Sequence, residues 1–159
     1  MKIRQADPLD APVIAGIVNN VIRNTAITFT TAEKPVEKLI EEISARGPAF
    51  QVVEINGEVV GYATYFAFRS GPGYARTMEH SVALSKDAQG GGIGRAIMAR
   101  LEDVARQAGV HSLIAGVSAE NSEGIKFHEA IGFRHVAILP EVGFKFGRWM
   151  DLVLMQKIL

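Results

Sequence analysis

The chain has 159 residues, 48% apolar and 21% charged, so it is long enough to form one domain with an ordinary core. Seventeen Lys and Arg residues balance seventeen Asp and Glu residues, which argues against nucleic-acid binding and against binding to an anionic membrane. Cysteine is absent, which excludes disulfides and thiolate chemistry, and the polar N-terminus and lack of a long apolar run predict a cytoplasmic, non-membrane protein.

The first third of the chain predicts one short strand and two helices. Residues 2–6 are expected to form the strand. Apolar residues at helical spacing predict an amphipathic helix over residues 13–22, and a Thr-rich loop follows over residues 24–31. Pro35 opens a second helix, which ends near residues 47–48.

The middle of the chain predicts a β-hairpin, a loop and a further strand. Residues 50–55 and 58–68 are rich in β-forming residues, and the Asn-Gly pair between them tolerates positive φ at both positions. The stretch 69–76 contains Gly-Pro-Gly and is expected to be a loop, after which residues 77–85 return to a strand.

The second half of the chain alternates strands and helices. Its predicted elements are a glycine loop at 89–94, a helix over 93–108, a strand over 111–117, a helix over 121–131, a strand over 133–139, a loop over 140–148 and a last strand over 149–158. Antiparallel hairpin strands followed by a strand-helix-strand crossover indicate an α/β fold with a mixed sheet.

The glycine loop is the strongest candidate for ligand binding. Four of the five residues 90–94 are glycine, and the loop lies between a predicted strand and a predicted helix. Such a loop brings backbone N–H groups close to a phosphate, although a tight turn alone would also explain the glycines. Its end, Gly94-Arg95-Ala96, excludes a Walker loop, and the small residue and later acid of a dinucleotide fingerprint are also missing.

Gln89, Gly92 and Gly94 do match the pattern Gln-x-x-Gly-x-Gly. Three further segments accompany it: Glu-His-Ser-Val at 79–82, Asn121 with Phe-His-Glu-Ala-Ile-Gly-Phe at 127–133, and Val-Gly-Phe-Lys-Phe-Gly-Arg-Trp at 142–149. Over essentially the whole chain the sequence resembles the GCN5-related N-acetyltransferases (GNAT), and within them the branch that acetylates the α-amine of phosphinothricin and methionine sulfoximine.

This resemblance implies a mixed sheet of about seven strands with about four helices, acetyl-CoA as co-substrate, no metal, and a homodimer that uses the region of Trp149. In the family two central strands splay apart to form a slot for the thioester. The implied cofactor-binding residues are Val82, Ala83, Leu84, Gln89, Gly90, Gly91, Gly92, Ile93, Gly94, Arg95 and Asn121. The implied substrate-binding residues are Arg69, Ser70, Gly71, Tyr74, Arg76, Glu79, His80 and Ser81.

Glu79 is the candidate general base. Strand alternation places it centrally on one face, together with Thr77 and Ser81. An α-amine with a pKa of about 7.7–8.0 must lose a proton before attacking a thioester, and a partly buried carboxylate can accept it. A structural ion pair with an arginine and an electrostatic contact to the ammonium group are the alternatives. Backbone N–H groups near Val82, freed by a β-bulge, are expected to stabilise the oxyanion.

Other polar residues allow two interpretations each. Arg69 and Arg76 could bind a substrate carboxylate or be surface residues. His128 occupies a position where many relatives carry a tyrosine that protonates the thiolate, so it either faces the cofactor or is a packed histidine. His80 lies on the strand face opposite Glu79 and would need the bulge to contact substrate.

The leading functional hypothesis is therefore acetyl transfer from acetyl-CoA to the α-amine of a small amino acid or an analogue such as methionine sulfoximine, methionine sulfone or phosphinothricin. Acetylation of a protein N-terminus or a polyamine is the enzymatic alternative, and the two arginines argue against a polyamine. A non-catalytic acyl-CoA sensor and a nucleotide-binding module are the alternatives from other classes.

Overall fold

The computed structural model describes residues Met1–Leu159 and contains one seven-stranded mixed sheet. Its strands are β1 (Lys2–Gln5), β2 (Phe50–Ile55), β3 (Glu58–Ala67), β4 (Thr77–Leu84), β5 (Ser112–Ser118), β6 (Arg134–Lys145) and β7 (Arg148–Ile158). Its helices are α1 (Ala11–Asn24), α2 (Val36–Arg46), α3 (Ile93–Gln107) and α4 (Ser122–Ala130). The predicted mixed sheet with four helices is confirmed.

The strand order is β1-β2-β3-β4-β5-β7-β6, and only β4 and β5 run parallel. The Asn-Gly hairpin between β2 and β3 is present, with φ of 53° at Asn56 and 85° at Gly57. None of the helices combines the length and apolar character needed to span a bilayer.

The predicted loop over residues 140–148 is wrong. Strand β6 continues to Lys145 and pairs again with β7 from Gly143 onward, after a register shift between Leu139 and Gly143. A proline is tolerated at such an irregularity of an edge strand, and Pro140 lies within this shift. The hairpin turn is made by residues 146 and 147, with φ of 53° and 73°.

Two apolar clusters cover the two faces of the sheet. Helices α1 and α2 contribute Ile14, Leu39 and Ile43 to one cluster, which contacts Ala83 of β4. The other cluster includes Ile97 and Leu101 of α3 and contacts Val82 of β4. Because side chains alternate along a strand, Glu79 and Ser81 face the α1-α2 side, whereas His80 and Val82 face the α3-α4 side.

The centre of the sheet opens between its two parallel strands. Pairing between β4 and β5 is limited to Thr77–Glu79 of β4 with Ser112–Ile114 of β5. Both strands continue beyond these pairs, to Leu84 and Ser118, without bonding to each other. This separation makes the slot that the family resemblance implies, and Glu79 lies where the slot begins.

Candidate active site

Unpaired backbone groups line the slot on the β4 side. The Ser85 amide donates to the Val60 carbonyl at 2.7 Å, and the Thr77 carbonyl accepts from the Phe68 amide at 3.4 Å. In a regular strand, therefore, the odd-numbered residues of β4 bond to β3 and the even-numbered ones turn toward β5. Since β5 separates after the pair Glu79–Ile114, the peptide groups of Val82 and Leu84 face the slot.

The β-bulge expected near Val82 is absent. The register between β3 and β4 runs without a shift from Gly61 opposite Leu84 to Ala67 opposite Met78. The separation of β4 from β5 supplies the free amides instead, so a regular strand presents the Val82 N–H group to the slot.

A cavity of about 800 Å³ occupies this slot and the adjoining space beside α1 and α2. The sequence-predicted site residues among its lining are Glu79, His80, Ser81, Val82, Ala83, Leu84, Gln89, Gly90, Gly92, Gly94, Arg95 and Asn121. Gly91 and Ile93 line a neighbouring pocket of about 300 Å³, to which Gln89 and Gly90 also belong.

The loop that the resemblance assigns to the substrate lies outside both cavities. Residues 69–76 are exposed, and none of them lines either cavity. The Arg69 guanidinium is 5.4 Å from the centre of the Tyr74 ring, so these two side chains contact each other. A substrate role for Arg69, Ser70, Gly71, Tyr74 and Arg76 stays a prediction.

The glycine loop requires glycine for two different reasons. Residues 90, 91 and 92 have φ of 90°, 60° and 78°, a backbone conformation that side chains disfavour. At Gly94 the constraint is packing, because a Cβ there would lie 3.1 Å from Cε2 of Phe127 on α4. The amides of Gly94 and Arg95, in the first turn of α3, donate to no backbone carbonyl and can bind an anion.

Asn121 has a structural role that accompanies its place in the cavity lining. Its side-chain oxygen accepts a hydrogen bond from the Gly124 amide at 2.9 Å and so caps α4. This cap fixes the start of the helix that carries His128.

The Glu79 carboxyl group is half-buried and rests against the backbone of β5. One of its oxygens lies 3.2 Å from the position that a Cβ would take at Gly116. Burial raises the pKa of Glu79, and its carboxylate makes no side-chain hydrogen bond and no ion pair. The alternative of a structural ion pair with an arginine is therefore wrong.

Arg46 is a cavity residue that sequence reasoning missed. Its guanidinium donates to Thr64 Oγ1 at 3.3 Å and lies 4.9 Å from the centre of the Phe66 ring. Thr64 and Phe66 pair across the strands with Ser81 and Glu79, which places Arg46 on the same face of the sheet as the carboxylate. No sequence motif marks this residue, since α2 brings it there only through tertiary packing.

One acidic and one basic side chain lie near Arg46 in the cavity. Glu42 lies 3.6 Å from its guanidinium and accepts a hydrogen bond from Lys34 Nζ at 2.9 Å. All three side chains line the cavity. The Glu42 carboxylate therefore lies between two cations.

Both histidines of the predicted site lie on the other side of the slot. His80 of β4 and His128 of α4 are each 7% exposed, and both line the cavity. Their Nε2 atoms are 3.0 Å apart. His80 therefore reaches the slot without a bulge, and His128 is at once packed and turned toward the cavity.

A family comparison agrees with this geometry. Residues 3–154 match the family described as Acetyltransferase (GNAT) domain. The chain belongs to the GNAT acetyltransferase family.

Several relatives of this GNAT chain carry names that describe an acceptor. An L-methionine sulfoximine/L-methionine sulfone acetyltransferase from Salmonella typhimurium is 39% identical, over 98% of this chain and 93% of its own. The L-amino acid N-acyltransferase MnaT from Escherichia coli is 40% identical over 98% and 92%. A phosphinothricin N-acetyltransferase from Streptomyces coelicolor is 32% identical over 96% and 92%.

Solved structures of other GNAT proteins superimpose closely. The yncA protein of Salmonella typhimurium, solved with its cofactor acetyl-CoA, is 38% identical with a TM-score of 0.95, covering 100% of this chain and 94% of that one. A ribosomal-protein-alanine N-acetyltransferase from Brucella melitensis is 39% identical with a TM-score of 0.95, covering 100% of both chains.

Proposed function

We propose that this GNAT acetyltransferase moves the acetyl group of acetyl-CoA directly to the α-amine of a small amino acid or analogue, such as methionine sulfoximine, methionine sulfone or phosphinothricin. The observation that carries the proposal is that two oppositely charged side chains lie on one face of one cavity without forming an ion pair. They are the half-buried carboxylate of Glu79 and the guanidinium of Arg46. An α-amino acid carries an ammonium group and a carboxylate a few ångströms apart, and these two side chains complement both.

The slot residues fit acetyl-CoA as the donor. The amides of Gly94 and Arg95 suit a diphosphate at the start of α3, and the outward-turned peptide groups of Val82 and Leu84 suit the amides of the pantetheine arm. Acetyl-CoA supplies the activated acetyl group. The Val82 N–H group is suited to stabilise negative charge on the acetyl oxygen.

Glu79 is proposed to accept the proton of the substrate ammonium. Burial brings its pKa closer to that of the amine, which makes the carboxylate a better base than a solvated one. Gly116 leaves room beside the carboxyl oxygen, so the carboxylate can turn toward an incoming amine.

Arg46 is proposed to bind the acid group of the substrate through its planar pair of N–H donors. The exposed arginines 69 and 76 are the competing candidates. Replacing Arg46 with Gln is expected to raise KM for the amino acid at least tenfold and to leave KM for acetyl-CoA unchanged. The matched variant Arg69→Gln should change neither constant. If Arg69→Gln raises KM for the amino acid and Arg46→Gln does not, Arg69 binds the acid group of the substrate instead.

A second acceptor class has a specific observation in its favour. The structure from Brucella melitensis is named as an enzyme that acetylates ribosomal-protein alanine, so an N-terminal peptide is a competing acceptor. A polyamine is disfavoured because it has no acid group to pair with the Arg46 guanidinium. A non-catalytic sensor would not need the unpartnered carboxylate.

One assay separates these functions. Free CoA thiol is followed while the protein turns over acetyl-CoA with methionine sulfone, phosphinothricin, other amino acids, spermidine and a peptide that begins with alanine. We expect release with the amino acid analogues. Release with the peptide alone would replace this proposal with N-terminal acetylation, and CoA binding without any amine-dependent release would identify a sensor.

We also propose a homodimer formed through the edge strand β6. Four large apolar side chains are 55–63% exposed along this edge: Val136, Ile138 and Phe144 on β6, and Trp149 on β7. Uncovered apolar edge strands favour association. Light scattering should give twice the monomer mass, and Phe144→Lys should halve it. Val13→Lys, at an exposed apolar residue of α1, is the matched control. A cytoplasmic location stays a prediction.

A further inference from the structure

His80 and His128 form a buried contact whose hydrogen atoms can be counted. The two Nε2 atoms are 3.0 Å apart. The outer nitrogens also have partners, since His80 Nδ1 lies 3.2 Å from the Ile114 carbonyl oxygen and His128 Nδ1 lies 2.7 Å from the Gly124 carbonyl oxygen. The pair therefore makes three contacts of hydrogen-bond length.

Each of the three contacts needs its own hydrogen. A carbonyl oxygen only accepts, so both Nδ1 atoms must donate. A neutral imidazole carries a single N–H, so two neutral rings have used both of theirs at Nδ1. The two Nε2 atoms would then direct lone pairs at each other across 3.0 Å. One additional proton between them satisfies all three contacts.

We propose that His80 and His128 share one proton between their Nε2 atoms, so that the pair is a single imidazole-imidazolium cation beside the slot and gives that proton to the departing thiolate of coenzyme A. The three contacts support the cation independently of any reaction. Its catalytic task rests on the proposed acetyl transfer.

The surroundings of the pair act in both directions. Burial lowers the pKa of both rings, that of His80 to about 3, and this opposes the shared proton. The proton is favoured by the hydrogen bond that it makes between the two rings. This hydrogen bond, in which one ring is charged, opposes the effect of burial.

Few charged groups compete for this proton. Tyr65 of β3 pairs with His80 across the strands and is buried, and burial raises the pKa of its hydroxyl group, so it stays neutral. Glu123 of α4 and Arg95 of α3 line the same cavity, but Arg95 donates to the Ala130 carbonyl. Glu79 is adjacent along β4 and faces the opposite side of the sheet.

The proton balance of acetyl transfer gives the pair its task. The substrate nitrogen enters as ammonium and leaves as an amide, so it loses two protons, the first of them to Glu79. The carbon-sulfur bond breaks with its electron pair on sulfur, which then takes up one proton. The histidine pair supplies that proton and recovers one from the second N–H or from solvent.

The cation is tested by NMR of protein labelled with ¹⁵N in histidine, without any substrate. We expect three imidazole N–H hydrogens from the two rings at pH 7, one on each Nδ1 and one between the Nε2 atoms. The variants His80→Asn and His128→Asn assign the signals. Two N–H hydrogens, one per ring, would show two neutral rings and overturn the shared proton.

The catalytic task is tested by kinetics with whichever acceptor the panel identifies. We expect His80→Asn and His128→Asn each to lower kcat by roughly 100-fold, the double variant to be no worse than either, and KM for acetyl-CoA to change little. In the unchanged enzyme kcat should fall at high pH, as the pair loses its proton, and the variants should lack that decline. His135→Asn, an exposed histidine paired with Glu129, is the control.

The outcomes are distinguishable. Three N–H hydrogens with unchanged kcat in both variants would keep the cation and refute proton donation. Weaker acetyl-CoA binding or lower stability with an unchanged pH profile would show a packing role and also refute it. If no amine is accepted, the proposed acetyl transfer fails, while the NMR result still decides the shared proton.

Discussion

Replacing Glu79 with Gln removes one charge and one proton acceptor while keeping the shape of the side chain. The carboxylate has no partner in the protein, so this substitution breaks no ion pair. Because its raised pKa shows that the ionised form is disfavoured in the folded state, stability at neutral pH should be unchanged or slightly higher. A thermal melt that shows a large loss of stability would contradict this description of the site.

The expected effect on catalysis follows from the pKa values. A positioned general base contributes roughly 10²- to 10⁴-fold, and we expect a loss of kcat within that range near pH 7. In the unchanged enzyme the rate should rise as pH increases through the raised pKa of Glu79, since the acid form cannot accept a proton. In Glu79→Gln the rate should instead follow deprotonation of the substrate amine, which titrates at higher pH than the carboxyl group, so high pH restores part of the activity.

The measurement is CoA thiol release from pH 5.5 to 9.5 for both proteins, with acetyl-CoA affinity measured separately by calorimetry. Affinity for acetyl-CoA should be the same in both proteins. If Glu79→Gln keeps the original pH profile with only a small loss of kcat, the carboxylate is not the base. An electrostatic contact to the ammonium group would then explain a raised KM for the amine.

Three further changes test other parts of the structure. Gly94→Ala should weaken acetyl-CoA binding more than tenfold by calorimetry, because its Cβ would press on Phe127 and shift the first turn of α3; Gly73→Ala, where a Cβ meets nothing within 4 Å, is the control. Gly116→Ala should lower kcat with little change in acetyl-CoA affinity, since it displaces the Glu79 carboxylate. Lys145→Met should cost about 3 kcal/mol of unfolding free energy in a denaturant titration, because Lys145 Nζ donates to the carbonyls of residues 22, 25 and 28 at 2.6, 2.6 and 3.0 Å; an unchanged midpoint would refute that role.

Several site residues were predictable because the pattern that identifies them involves only residues close together in the sequence. The glycine loop at 89–94 needs glycine for its own backbone conformation, and positive φ at three consecutive residues follows from local sterics. The Asn121 cap and the Asn-Gly hairpin are local in the same sense. Glu79 was found because strand alternation is also a local property.

The error at residues 140–148 shows where local signals mislead. Proline and glycine predict a loop, but the partner strand β7 pairs with this segment and absorbs the irregularity as a register shift. The expected bulge in β4 failed for a related reason. Divergence from β5 frees the slot amides, and that divergence depends on two strands that lie more than 25 residues apart in the sequence.

By itself the sequence determined the fold class, the glycine turn at 89–94 and the acid on the central strand, because each depends on backbone conformations or periodicities within a few residues. Only the tertiary structure decided that Arg46 shares a face with Glu79, that residues 69–76 lie outside the cavity, and that His80 meets His128. These relations join helices and strands that are distant along the chain. Their distances are set by how α2 and α4 pack on opposite faces of the sheet, which no local pattern records.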